Sequence, residues 1–159
     1  FGHPDGKFRF KPDWKDIGVD FEGLPELPDH CTNIDLASRK HPFRMVAAPA
    51  RNFLNSSFNE TNTSKKREGR PTIKLHPDDL RDLGIKDGDV VEVGNDLGEI
   101  ELHAAVFDGL QRGVVVIESI WPNKAHRKGQ GVNVLISADP GPPRGGGVFH
   151  DTAVWVRAI

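Results

Sequence analysis

What most narrows the fold is the rhythm of the chain from Thr72 onward. Short apolar runs recur, and each is stopped within a few residues by Gly, Asp, Asn or Pro. Thr72–Leu75, Val90–Val93, Glu99–Val106, Val114–Ile117, Val132–Ile136 and Ala153–Val156 are too short for ordinary helices and suit strands. In Glu99–Val106 the residues Ile100, Leu102, Ala104 and Val106 alternate with Glu99, Glu101, His103 and Ala105, which is the two-residue period of a strand. Val114–Ile117 is apolar without a break and reads as a strand buried on both faces. Between the runs lie Asp87-Gly88, the hairpin-like Gly94-Asn95-Asp96-Leu97-Gly98, and Asp108-Gly109. Pro140–Gly147 cannot be helical. Six or seven short strands with this turn chemistry predict a mainly β fold, a closed or nearly closed barrel.

One helix is legible, and the rest is irregular. Pro77 suits the first helical position, Asp78 and Asp79 suit the positive end of the helix dipole, and Gly84 can end it in the left-handed region. Leu80, Leu83 and Ile85 are expected to pin this helix to the barrel. Residues 62–70, Asn-Thr-Ser-Lys-Lys-Arg-Glu-Gly-Arg, read as an exposed loop. Up to about residue 44, Pro4, Pro12, Pro25, Pro28 and Pro42 exclude long helices, and Lys7–Phe10 suggests one edge strand. The division expected is an irregular extension, residues 1–42, followed by the barrel, residues 43–159. Because the chain opens on Phe1, it reads as a piece of a longer chain, with a processed or tagged start as the competing explanation. On the fragment reading, part of the apolar surface of Phe8, Phe10, Trp14, Phe21 and Phe43 would pack on the missing region.

Composition excludes several classes. A net charge of -2 gives no drive toward nucleic acid. No apolar run approaches the roughly 20 residues of a membrane helix. The single Cys31 excludes an intrachain disulfide and a multi-cysteine zinc site, and one free thiol fits a reducing compartment, so a cytoplasmic location is expected, with the periplasm as the alternative. His76, His103, His126 and His150 lack the close spacing of zinc ligands, and His76 is explained as a helix-start residue. Asn55-Ser-Ser, Asn59-Glu-Thr and Asn62-Thr-Ser match the glycosylation sequon, but one Asn/Ser-rich loop accounts for all of them.

The candidate site is Arg51–Thr61, which follows the apolar run Met45–Ala48 and Pro49. Phe53, Leu54 and Phe58 are its only anchors by burial. Arg51 suits a phosphate or carboxylate, because its planar fork is always charged. Asn52, Asn55, Ser56, Ser57 and Asn59 suit the edge of a heterocycle, because they donate and accept.

The run from Pro71 to Ile100, with His-Pro-Asp-Asp-Leu and Leu-Gly-Ile-Lys-Asp-Gly-Asp-Val-Val-Glu-Val, resembles the C-terminal molybdopterin-dinucleotide-binding domain of the dimethyl-sulfoxide-reductase family. Gly113-Val114-Val115, Gly131-Val132-Asn133-Val134-Leu135 and Phe149-His150-Asp151-Thr152 follow in the family's order, so the likeness spans about residues 43–159. The resemblance implies a six-stranded double-psi β-barrel. It further implies a fragment of a formate dehydrogenase- or nitrate reductase-type oxidoreductase that binds molybdopterin guanine dinucleotide, carrying molybdenum or tungsten, against the preceding catalytic domains. On this likeness the cofactor loop comprises Arg51, Asn52, Phe53, Asn55, Ser56 and Ser57, Asn133 faces the pterin, and Phe149, Asp151 and Thr152 line the cofactor. The metal ligand and substrate channel would come from other domains, leaving this domain without catalytic residues. Relatives tend to carry an aromatic and then a His-Thr pair in the loop; here Phe53 and Asn55-Ser56 stand there, so individual hydrogen bonds do not transfer. The alternative is a stand-alone double-psi recognition barrel without cofactor.

Overall fold

β1 (Phe43–Ala48) and β5 (Val114–Glu118) run parallel, from Arg44 beside Val114 to Ala48 beside Glu118. This pair begins a closed barrel in the order β1-β5-β2-β4-β3-β8, with β2 at Thr72–Leu75, β3 at Val90–Gly94, β4 at Glu99–Val106 and β8 at Thr152–Ala158. The computed structural model describes residues 2–11, 27, 36–118, 120–141, 146–149 and 152–159. They fall in two compact units: Ile34–Ser137 with Phe149–Ile159, which holds the barrel, and Phe1–Asn33 with Ala138–Val148. The second unit contains a short antiparallel ribbon, β6 (Pro140–Gly141) on β7 (Gly146–Gly147).

β1 pairs in parallel with β5, and β2 with β4, while the remaining barrel pairs are antiparallel. The fold is a six-stranded double-psi β-barrel. Its interior is filled by alternate residues: Ile73 and Leu75, Val91 and Val93, Ile100 and Leu102 are all buried. Each such side chain contributes about 1.5–3 kcal/mol on burial. β5 alternates as well: Val115 and Ile117 point inward while Val114 and Val116 are half-buried, so the expectation of burial on both faces fails. A closed barrel puts one face of each strand in its core. Val106, at the end of β4, is 49% exposed and leaves the inward row set by Ile100, Leu102 and Ala104.

Strand directions sort the loops between the two ends of the barrel. β1, β5 and β3 finish at one end, where β2, β4 and β8 begin. The other end carries α2 (Pro77–Leu83), which links β2 to β3. The His76 Nδ1 accepts from the Asp78 N–H at 3.1 Å, Asp78 and Asp79 occupy the first turn, and Gly84 ends the helix at φ 68°. Leu80 and Ile85 are buried and Leu83 partly so. Asp79 is also buried; its carboxylate accepts from the Gly113 N–H at 2.7 Å and from Arg112 Nε at 3.1 Å, fastening α2 to the turn that starts β5.

Three expectations about elements are overturned. Asn62–Glu68 is a helix, α1, not an exposed loop. Thr61 caps its start by accepting from the Ser64 N–H, and Gly69 ends it at φ 78° with its N–H on the Lys65 carbonyl. Val132–Leu135 is a 3₁₀ helix, not a strand. The tighter helix brings residues three apart onto one face, so Val132 and Leu135 go under while Asn133 stays exposed. Lys7–Phe10 has no strand partner among the described residues; Phe8 and Phe10 instead pack edge to face, their centroids 4.9 Å apart. Cys31, His150 and Asp151 lie outside the described residues, as do Trp14 and Phe21. Among the described residues no helix is long and apolar enough to cross a membrane.

Candidate functional site

The barrel end at which β1, β3 and β5 finish gathers segments far apart in sequence. They are the loop after β1 with Arg51–Ser57, the β3–β4 hairpin tip, the loop after β5 leading to Asn133, and the approach to β8 with Phe149. Direct contacts hold these segments. The Phe53 and Trp121 rings meet edge to face at 5.3 Å. Asn59, also buried, donates through Nδ2 to the Ile120 carbonyl at 3.3 Å. Asn95 Nδ2 donates to the Leu135 carbonyl at 2.7 Å, tying the 3₁₀ turn to the hairpin tip.

The loop after β1 is built around a tight turn. The Leu54 N–H donates to the Ser57 carbonyl at 3.1 Å and the Ser57 N–H returns to the Leu54 carbonyl at 2.6 Å. This leaves Asn55 and Ser56 at the tip, Asn55 in the left-handed region at φ 45°, which Asn tolerates better than most residues. Phe58 stands at φ 68°, where a bulky side chain is strained by about 1–3 kcal/mol. Its carbonyl is held by the Thr61 N–H and hydroxyl at 3.1 and 2.9 Å. Of the three expected anchors only Phe53 is buried; Leu54 and Phe58 are 67% and 64% exposed. Arg51, Asn55, Ser56 and Ser57 are exposed, and among the described residues Arg51 makes no ion pair.

The loop after β5 is clasped to the outer wall. Lys128 pairs with Glu92 and, at 2.7 Å, with Glu99; Arg127 reaches Glu101 at 2.8 Å. Glu92 also accepts from Arg157 Nε at 2.7 Å. Donating hydrogen bonds to the Glu92 and Glu99 carboxylates pushes Lys128 well above the usual lysine range, and Lys128 holds the Glu92 carboxyl below its own. His126, next to this clasp, is buried without a partner for Nδ1, and burial lowers its pKa. Nε2 of that ring lies 3.2 Å from where a Cβ on Gly131 would be.

The family profile described as the Molydopterin dinucleotide binding domain matches residues 43–153, a range that contains all of these segments. The chain belongs to that family. Among its relatives, the probable oxidoreductase YoaE of Bacillus subtilis (strain 168) is 33% identical over 138 residues, which are 87% of this chain and 20% of YoaE. The dimethyl sulfoxide/trimethylamine N-oxide reductase of Rhodobacter capsulatus is 35% identical over 136 residues, 75% of this chain and 16% of that protein. Acetylene hydratase from Pelobacter acetylenicus shares the fold, with a TM-score of 0.71 at 16% identity over 86% of this chain and 22% of that one. The chain thus spans a fifth or less of these curated relatives.

The exposed donors of this domain fit a molybdopterin dinucleotide in kind. A guanidinium without an ion-pair partner suits a pyrophosphate. The Asn55 and Asn133 amides with the Ser56 and Ser57 hydroxyls can meet the mixed donor and acceptor edge of a pterin. Other expected site residues are placed differently. Phe53 turns its ring into the Trp121 contact, and Thr152 is buried in β8 beside Met45. Phe149 is 54% exposed ahead of β8. The Asn52 side chain is occupied, its Nδ2 donating to Glu68 at 2.8 Å.

The sequence reading missed Glu68, Ser64, Trp121 and the Lys128 clasp. A signal for α1 was present, in Thr61 as a cap, the basic run Lys65-Lys66-Arg67 near the helix end and Gly69 beyond it. It lacked the apolar stripe by which helices are usually read, since Ser64 is the helix's only buried residue.

Proposed function

We propose that the domain holds the molybdopterin guanine dinucleotide of a larger oxidoreductase on the barrel end where β1, β3 and β5 finish. The observation carrying this reading is that exposed Arg51, Asn55, Ser56, Ser57 and Asn133, on loops some eighty residues apart, lie at that end, within a family named for binding a molybdopterin dinucleotide. Arg51 would take the pyrophosphate by charge-assisted hydrogen bonds. Asn55, Ser56 and Ser57 would meet polar edges from one side and Asn133 from the other. Phe149, exposed ahead of β8, would line the cofactor, with Asp151 and Thr152 next to it in sequence. When bound, the metal and its pterin, as molybdenum or tungsten, supply the redox chemistry; the chain's residues bind and orient them. The preceding catalytic domains of the same parent chain would cover the opposite side of the cofactor, in the cytoplasm. The stand-alone recognition barrel without cofactor is not favoured, because it gives no account of the family match.

The test is the nucleotide released by acid from the purified parent protein. The reading predicts guanine nucleotide at near-stoichiometric yield, falling about tenfold in Arg51→Ala, the scale of one lost hydrogen bond to a charged group. Full occupancy in Arg51→Ala and Asn55→Ala alike would overturn the site. Release of a different nucleotide would overturn the guanine assignment.

A further inference from the structure

We infer that Glu68 and Ser64 of α1 are positioning residues, which set the direction of Arg51 and Phe53 by clamping Asn52 between them. This deepens the proposed function and rests on the loop after β1 being a binding loop. One Glu68 carboxylate oxygen accepts from both the Asn52 backbone N–H and, at 2.8 Å, its side-chain Nδ2. The Ser64 hydroxyl donates to the Asn52 carbonyl at 2.8 Å. The backbone N–H, the backbone carbonyl and the side chain of Asn52 are therefore all held by one short helix. Arg51 precedes Asn52 and Phe53 follows it, so fixing both peptide groups of Asn52 fixes the direction in which each neighbour leaves.

The helix itself gains little from these residues. Glu68 is the last residue of α1, where the dipole disfavours a carboxylate. Ser64, the helix's only buried side chain, spends its hydroxyl on Asn52 rather than on its own backbone. The far side of the loop is closed by Glu60, which pairs with Lys65 of α1 at 2.8 Å and with Lys124 of the loop after β5 at 2.9 Å. Hydrogen bonds from Lys65 and then Lys124 hold the Glu60 carboxyl below its ordinary range. Between these fixed points only Leu54–Phe58 projects, with Asn55 and Ser56 at its tip. The architecture is that of a binding loop fixed before its ligand arrives, which removes the ordering cost from the binding step.

The experiment uses the full parent chain with Glu68→Ala, Glu68→Gln, Ser64→Ala and Arg51→Ala. It reads amide hydrogen exchange at Asn52 and Phe53 before cofactor loading, and acid-released dinucleotide after it. Glu68→Ala is expected to speed Asn52 exchange and cut retained dinucleotide, each about tenfold. Glu68→Gln, which keeps an acceptor for both Asn52 donors, is expected to restore most of both. If Glu68→Ala retains full dinucleotide while Arg51→Ala loses it, the positioning inference fails and the binding-loop reading stands. If both retain it, the binding-loop reading fails as well. If exchange also rises in β3 and β4, the barrel itself has loosened, and Ser64→Ala decides: faster Asn52 exchange with reduced retention supports the inference, and unchanged retention overturns it.

Discussion

Removing the Asp79 carboxylate separates two effects that share a residue. Asp79 is buried and holds two donors: the Gly113 N–H at 2.7 Å and Arg112 Nε at 3.1 Å. The Arg112 side chain is 54% exposed and pairs with Asp82 as well, so its loss should cost less than about 1 kcal/mol, the range of surface ion pairs. The Gly113 donor is different, because a buried donor stripped of its acceptor costs about 1–3 kcal/mol. Asp79→Ala should therefore cost about 2–3 kcal/mol and Arg112→Ala under about 1, with Asp79→Asn between them because it keeps an acceptor. In urea, with a slope near 2 kcal/mol per molar, Asp79→Ala should lower the unfolding midpoint by roughly 1 M. Equal midpoints for Asp79→Ala and Arg112→Ala would refute the reasoning, since the ion pair would then outweigh the backbone anchor.

Other outcomes follow from the same geometry. A Cβ on Gly94 would lie 2.2 Å from the Trp155 ring, so Gly94→Ala should destabilise by about 1–3 kcal/mol in the same titration, and Trp155→Leu should relieve part of that cost. Asn133→Leu should change stability by less than about 0.5 kcal/mol, because Asn133 is exposed on its 3₁₀ turn, while it lowers dinucleotide retention by the parent. His126 has its pKa lowered by burial, so the folded state resists its protonation. The stability it contributes is full above about pH 6.5 and falls as pH drops through the window between that value and the lower folded pKa. The difference in urea midpoint between the unaltered protein and His126→Gln should widen at neutral pH and narrow on acidification.

The barrel was legible because its strands announce themselves by alternation and by their turns. Ile100, Leu102 and Ala104 lie on one face as read, and α2 begins at Pro77 and ends before Gly84 as its residue types require. The double-psi topology was not in the periodicity, since strand order depends on pairings such as Ala48 with Glu118 across seventy residues; only the family likeness supplied it. The misread elements share a cause. Val132–Leu135 is apolar enough for a strand, and nothing local records that two of its residues must go under the β3–β4 hairpin while Asn133 stays out. α1 has caps but no apolar stripe, because it is held by hydrogen bonds to Asn52 rather than by packing. The side chains of the candidate site could be picked by their chemistry. That Asn52 would be occupied and Phe53 buried could not, because both depend on partners, Glu68 and Trp121, that only the fold brings near.

The central claim is that one end of the barrel binds the dinucleotide, and amide hydrogen exchange of the parent chain with and without its cofactor tests it most directly. The account predicts cofactor-dependent protection in residues 51–58 and 131–135, and none in Pro77–Leu83 or the turn at residues 107–113, which sit at the other end. Protection centred on α2, or none in either site loop, would contradict it.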